Sequence, residues 1–207
     1  YLCIPSMGIN TKKFKFLRKN FNYKNKKIHF IYIGRIIRDK GIREYLNSAV
    51  EINKKYPNTI FSILGSLDKE NLSSLSSDYI NYYKKFDFIS FLSFNENVQN
   101  ILQSQDCLIL PSYREGIPRV IMESQSIGIP VISTNVPGSN VLVKNNFTGL
   151  LCKKNNVQSL VETIEKFINL NPNTIEFMVE NAKNNVKSNF DEDLIINKYI
   201  RLIKVYE

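Results

Sequence analysis

Short apolar runs alternate with longer amphipathic stretches along almost the whole chain, and this order limits the fold more than any single residue. Residues 29–33, 59–64, 89–92, 107–110, 130–134 and 149–152 are apolar runs of strand length. Between them lie stretches with apolar residues at helical spacing. The segment 41–56 is the clearest, with Ile42, Tyr45, Leu46, Ala49 and Ile52 on one face and a stop before Pro57. Further helices are expected over parts of 69–84, where a Ser-rich centre weakens the pattern, at 95–104 opened by Asn95, and at 118–127. A short one at 139–143 and longer ones at 157–169, 173–188 and 191–206 follow, the last opened by Asp191. Parallel strands need a crossover connection between them, and a helix usually supplies it. The expected fold is therefore α/β, a Rossmann-like parallel sheet with helices on both faces.

At 207 residues and 43% hydrophobic, the chain can bury a core for one domain, or one and a half. No run is long and apolar enough to span a bilayer. The start, Tyr1-Leu2-Cys3-Ile4-Pro5, lacks a charged region ahead of a long apolar one, so no secretory signal is expected. It also lacks an initiator Met and reads as the middle of a longer protein. Cys3, Cys107 and Cys152 have no metal-type spacing. Cys107 and Cys152 lie in apolar runs and read as buried thiols, which suits a reducing cytoplasm. His29, the only histidine, opens a strand pattern without a partner that would make it a base.

The formal net charge is +9, and much of it lies in residues 11–27. Lys12, Lys13, Lys15, Arg18, Lys19, Lys24, Lys26 and Lys27 stand there without an acid, interleaved with Phe14, Phe16, Phe21 and Tyr23. Such a segment could bind nucleic acid. It could touch an anionic membrane at about 1 kcal/mol per basic residue. It could equally be a solvated loop in a chain rich in Lys, Asn and Ile.

The chemistry concentrates after the run 107–110. Pro111-Ser112-Tyr113-Arg114-Glu115-Gly116-Ile117-Pro118 leads into an apolar helical stretch that carries Glu123. Pro118 fits the first helical position, where a missing N–H costs nothing. Glu115 then sits in a strand-to-helix loop, beside a helix N-terminus that suits an anion. Ligands of open α/β sheets bind at that end of the strands. Carboxylates there suit sugar or ribose hydroxyls, although Glu near a helix start also simply complements the dipole. Gly34-Arg35 closes the first strand, and Lys40-Gly41 opens the helix after it. Two such cations can clamp a diphosphate, Arg as a fork and Lys as a point charge, with Gly34 allowing close approach. The plain alternative is a solvated loop of Arg35, Arg38, Asp39 and Lys40.

The phrase from Pro111 to Glu123 resembles the signature of two glutamates with seven residues between them in retaining glycosyltransferases of family 4. Gly128-Ile129-Pro130-Val131-Ile132-Ser133-Thr134, then Pro137-Gly138, then Asn146-Phe147-Thr148-Gly149-Leu150-Leu151 continue the same pattern in order. The resemblance runs from about Ile4 to Tyr206. It implies the C-terminal, donor-binding half of a GT-B fold. By resemblance, residues 1–27 are an interdomain segment and basic linker, with Pro5-x-x-Gly8 at the crossing. Residues 28–190 are the nucleotide-sugar-binding domain, and 191–207 a helix that crosses back. The resemblance implies an N-terminal Rossmann-like domain ahead of this point, outside this sequence.

The resemblance also assigns roles. Glu115 corresponds to the carboxylate beside the transferred sugar, and Glu123 to the one that accepts from the ribose hydroxyls. Gly34, Arg35 and Lys40 correspond to the diphosphate site. Gly116, Ile117 and Pro118 approach sugar and phosphates, and Gly65 lies in a turn near the donor. Leu92 and Ser93 correspond to the nucleobase site, where Ser93 replaces a common Gly. The implied reaction is front-face transfer, with retained configuration, from a UDP-sugar to a glycan or lipid-linked acceptor in bacterial polysaccharide synthesis. Cations and a helix N-terminus stabilise the leaving diphosphate, so no divalent metal or other cofactor is expected. Asp191-Glu192-Asp193 has acids at metal-type spacing but stands at an expected helix cap. The expected place is the cytoplasm, with peripheral contact on the inner membrane face as one reading and no nucleic-acid partner. Two rivals stand beside this: a nucleotide-sugar epimerase of the same fold, and a basic module for RNA or anionic lipid.

Overall fold

The computed structural model describes residues 7–68, 70–92 and 97–205. Six strands form one sheet: β1 Ile28–Ile33, β2 Thr59–Leu64, β3 Ile89–Leu92, β4 Cys107–Leu110, β5 Val131–Thr134 and β6 Leu150–Cys152. The order is β3-β2-β1-β4-β5-β6, and every pairing is parallel. Among the described residues the α-helices are α1 Ile42–Lys55, α2 Ser77–Tyr83, α3 Val98–Gln103, α4 Arg119–Ile127, α5 Ser139–Leu142, α6 Val157–Ile168, α7 Pro172–Asn189 and α8 Glu192–Val205. The chain runs outward from β1 to β3, then returns to the centre and runs the other way from β4 to β6. Because such crossovers are right-handed, the two halves place their helices on opposite faces. α4 packs on α7, whereas α6, which follows the edge strand β6, returns to the face of the first half and packs on α1.

The core lies on both faces of the central strands. Phe30 and Phe61 stack at 5.0 Å across β1 and β2, and Tyr45 of α1 closes over Phe61 edge-on. The Tyr45 hydroxyl donates to the Ser62 carbonyl at 2.9 Å, so this buried polar group keeps a partner. Every residue of β4 is buried, as expected of a strand covered on both faces. Cys107 and Cys152 are free and buried. Burial pushes the Cys107 thiol well up and the Cys152 thiol up to about 12. Cys3 falls outside the described residues.

The helix expected over parts of 69–84 forms at Ser77–Tyr83. Before it the Asn71 side chain accepts from the Ser73 amide at 2.9 Å, Ile37 bridges to Ser74, and Ser76 caps α2. Asn and Ser side chains here compete for the backbone bonds a helix would need. The next helix begins at Val98, capped by Asn97, whereas Asn95 lies outside the described residues. Pro118 is the cap of α4 rather than its first residue, and the Ile121 amide donates to its carbonyl at 3.1 Å.

Residues 7–27 form a strap across the domain. Phe14 and Phe21 are buried in it. The Leu17 amide donates to the Ile127 carbonyl at 2.8 Å, and Ser126 Oγ donates to the Phe14 carbonyl at 2.8 Å. Lys183 of α7 lies 4.0 Å above the Phe16 ring. The strap also meets the start of α8. Ile9 pairs with Asp191, with the Ile9 amide on the Phe190 carbonyl at 2.8 Å and the Glu192 amide on the Ile9 carbonyl at 3.0 Å. Asn10 donates to Glu192, Thr11 to Asp191, and Lys12 pairs with Asp193 at 2.8 Å. Asp191 also accepts from the Asp193 amide at 3.1 Å, as a helix cap does. The acid triple is thus committed to the strap and the cap. Ile195 of α8 is buried, while Ile196, Tyr199, Ile200, Leu202 and Ile203 face outward. Among the described residues no helix is long and apolar enough to cross a membrane.

Candidate functional site

The sheet reverses its winding between β1 and β4, and a crevice opens at their carboxyl ends. A cleft of ≈ 130 Å³ lies there, lined by Ile33 and Gly34 of the β1 end, Leu110 of the β4 end, Lys40, Glu115 and the start of α4. Lys40 Nζ and Glu115 Oε1 meet at 2.7 Å, with side chains only 24% and 9% exposed. The loops after β1 and β4 reach each other because Gly41, at φ 73°, ends the 3-10 turn Arg38–Lys40. A Cβ at Gly41 would fall 2.0 Å from the Pro111 carbonyl oxygen, so only glycine allows this approach. The Tyr113 amide, donating to the Asp39 carbonyl at 2.8 Å, ties the same two loops.

α4 starts at the cleft with no side chain capping its first turn, which leaves amide groups and the positive end of the dipole available to an anion. The loop before it is held from behind. Gly138, at φ +84°, sits so close that a Cβ would be 1.7 Å from the Gly116 carbonyl oxygen and 2.5 Å from that of Glu115. Gly116 itself is exposed, and a Cβ there would meet nothing within 4 Å.

Glu123 lies one turn along α4 and is buried. Its carboxylate accepts from Arg119 Nε at 3.0 Å. Burial pushes the Glu123 carboxyl above the usual range, while Arg119 and, from the strap, Lys13 oppose that rise. Arg35 stands at the other side of Lys40, pairs with Asp68 at 3.0 Å, and lines a wider depression of ≈ 500 Å³. Lys40, Ser73 and Arg114 line the same depression, and Arg114 reaches Asp39 at 3.6 Å.

The structure therefore brings Gly34, Lys40, Glu115, Pro118 and the start of α4 into one cleft, with Gly116 and Ile117 in its loop and Arg35 and Glu123 adjoining. Gly65 packs against the same strand end: a Cβ there would lie 1.9 Å from the carbonyl oxygen of Gly34, which lines the cleft. Leu92 ends β3, two strands from β1 and thus about 10 Å along the sheet. Ser93 lies outside the described residues. Sequence reasoning missed Arg119, Lys13 and Gly138 as parts of the site. The four-residue spacing of Arg119 and Glu123 was a readable signal; the electrostatic influence of Lys13, exerted from the strap, was not. Among the described residues, no three His, Cys, Asp or Glu side chains converge where a metal ion could be held. The arrangement offers a cation and a helix N-terminus for an anionic group, and carboxylates for hydroxyls on either side of it.

Residues 13–185 match the family model described as Glycosyl transferases group 1. Among curated proteins, the chain is 33% identical over 204 residues to a capsular polysaccharide biosynthesis glycosyltransferase of Staphylococcus aureus, covering 92% of this chain and 50% of that protein. It is 29% identical to the Escherichia coli UDP-Gal:alpha-D-GlcNAc-diphosphoundecaprenol alpha-1,3-galactosyltransferase, covering 84% of this chain and 46% of that one. The chain thus spans about half the length of the curated relatives it matches. Among solved structures, Anabaena HepE in complex with UDP superposes with a TM-score of 0.82 at 17% identity, over 96% of this chain and 56% of that one. The sucrose-phosphate synthase of Thermosynechococcus elongatus gives 0.81 at 20% identity, over 98% and 53%. The fold is the Rossmann-like α/β domain of GT-B enzymes.

Proposed function

This chain belongs to the family of group 1 glycosyl transferases, and we propose that it is the donor-binding half of a retaining enzyme of that family. Its donor is a UDP-sugar, and its acceptor is a glycan or lipid-linked saccharide of bacterial surface polysaccharide. The observation that carries this reading is the Lys40–Glu115 pair, set in the crevice between β1 and β4 beside the open end of α4. A donor diphosphate draws Lys40 and Arg35 to its oxygens and lies on the α4 N-terminus. Glu115, released from Lys40, then faces the sugar and supports the positive charge that develops as the glycosidic bond breaks. Glu123 accepts from the ribose hydroxyls, and the base extends along the strand ends toward Leu92. Charge on the leaving diphosphate is met by these cations and the helix, so donor binding proceeds without a divalent metal.

On this reading residues 1–27 lead in from a preceding Rossmann-like domain, 28–190 bind the donor, and 191–207 cross back. Outward-facing apolar residues of α8 supply a surface for that domain. The enzyme works in the cytoplasm, against the inner membrane face when its acceptor is lipid-linked. The buried positions of Phe14 and Phe21 favour this over an RNA-binding strap, because rings in the core cannot stack on bases. Calorimetry with UDP and a panel of UDP-sugars tests the reading. Arg35→Ala and Glu123→Ala should each lose about 1.5–3 kcal/mol, the worth of a charged hydrogen bond. Unchanged affinity in both variants removes the donor site from this cleft.

A further inference from the structure

We infer that Arg119 is a positioning residue of the donor site, holding Glu123 ionised and oriented for a ribose diol. This rests on the donor reading given above. The first observation is where Arg119 stands. It is the first residue of α4, whose opening turn contains no acid and whose cap is a proline without a side-chain bond. A cation there opposes the positive end of the helix dipole. Local rules broken without a local gain concentrate at functional sites. The gain here lies one turn further on, where Nε donates to Glu123 Oε1 at 3.0 Å.

The second observation is the contrast between the partners. The Arg119 side chain is 60% exposed and lines the cleft, whereas that of Glu123 is 11% exposed. A carboxylate so short of water tends toward its neutral acid. The neutral acid carries a proton on one oxygen and is a poorer acceptor for two neighbouring hydroxyls. Two cations oppose that drift, Arg119 from α4 itself and Lys13 from the strap, and they are the charged groups that act on Glu123 among the described residues. Arg119 alone is bonded to the carboxylate, so it fixes orientation as well as charge. Among the described residues it makes no other hydrogen bond, and a fork bonded through Nε alone leaves both terminal NH₂ groups unused.

The sign of the pH effect follows. Glu123 is raised by burial, so the ionised form is lost as pH falls through that raised value. Removing Arg119 takes away one opposing cation and moves the loss to higher pH. The test measures UDP affinity by calorimetry and uridine affinity by ligand-observed NMR, across the acid-to-alkaline range. Uridine carries the ribose without a titrating phosphate. The proteins are the wild type, Arg119→Gln, Arg119→Lys and Glu123→Gln, each checked by thermal melting. Arg119→Gln should weaken both ligands about tenfold near neutral pH, about 1.4 kcal/mol, and recover most of that toward alkaline pH. Arg119→Lys should lie between it and the wild type. Glu123→Gln should bind weakly with no acid limb at all.

Three results overturn the inference, and they are distinguishable. If Arg119→Gln runs parallel to the wild type at every pH, Arg119 has only a structural part. If it weakens UDP but not uridine, the guanidinium acts on the phosphates rather than through Glu123. If Glu123→Gln binds uridine as the wild type does, the ribose role of Glu123 fails, and the inference falls with it.

Discussion

Replacing Gly138 with Ala should damage the candidate site from behind, through the backbone carbonyls of the loop that carries Glu115. Gly138 has φ 84° and ψ −55°, a sparsely populated region where an L side chain costs about 1–3 kcal/mol. Its Cβ would fall 1.7 Å from the Gly116 carbonyl oxygen, whereas an ordinary C···O contact needs about 3.3 Å. The turn before α5 and the loop 115–118 must therefore separate by roughly 1.6 Å. Both are backbone, and Ser139 and Leu142 of α5 are buried, so neither side yields easily. Strain and displacement together should cost about 2–4 kcal/mol, at the upper end of single substitutions. For a domain of this size that lowers Tm by roughly 4–16 °C. Moving Glu115 by more than about 1 Å should also reduce sugar transfer by the full-length enzyme about a hundredfold. The control is its neighbour in space: Gly116→Ala meets nothing within 4 Å and should change stability by less than about 0.5 kcal/mol. Scanning calorimetry on the pair, with UDP titrations, decides the matter. If Gly138→Ala melts with the wild type and binds UDP equally well, the loop is not braced by this turn, and the argument from contact distance is wrong.

The other predictions concern the same cleft. In a double-mutant cycle with Lys40→Met and Glu115→Gln, denaturant unfolding should show a coupling of about 1–3 kcal/mol, because each single change leaves a poorly hydrated charge alone; simple additivity would mean that the pair is idle. UDP affinity should agree between solutions containing chelator, magnesium or manganese, and a tenfold loss with chelator, about 1.4 kcal/mol, would contradict cation-only binding. This chain by itself should bind donor yet form no product from a matched donor and acceptor, since one half of a cleft cannot orient both substrates. Turnover comparable to that of a full-length relative would place the whole machinery within these residues.

The strands were legible because each is a short apolar run closed by a breaker, as with Cys107 to Leu110 before Pro111. Their order was legible only as a class, since the choice of neighbour for β1 depends on contacts between distant residues. The site divides in the same way. Glu115 and Glu123 stood out by spacing along one loop and helix. The bond from Lys40 to Glu115 joins residues far apart in the chain and exists only once Gly41 lets Pro111 approach. Which part of 69–84 becomes helix was not legible, because polar segments rich in Ser and Asn say nothing about which backbone groups their side chains will capture. Phe14 and Phe21 misled: in an irregular strap there is no period to show which way a ring points. Arg119 did carry a signal of its own, a cation at a helix start four residues before a carboxylate.

The pairing of Ile9 with Asp191 also sets how the domain answers a pull. The two segments run parallel, so traction on the strap toward Met7 and on α8 toward its far end drags them past each other. The two backbone bonds and the contacts of Asn10, Thr11 and Lys12 then lie across the line of force and are strained together. In an antiparallel pair pulled from one end they would open singly, like a zip. Tension between the two ends of the described chain therefore meets a shear joint at the domain's edge before it reaches the sheet and the cleft between β1 and β4.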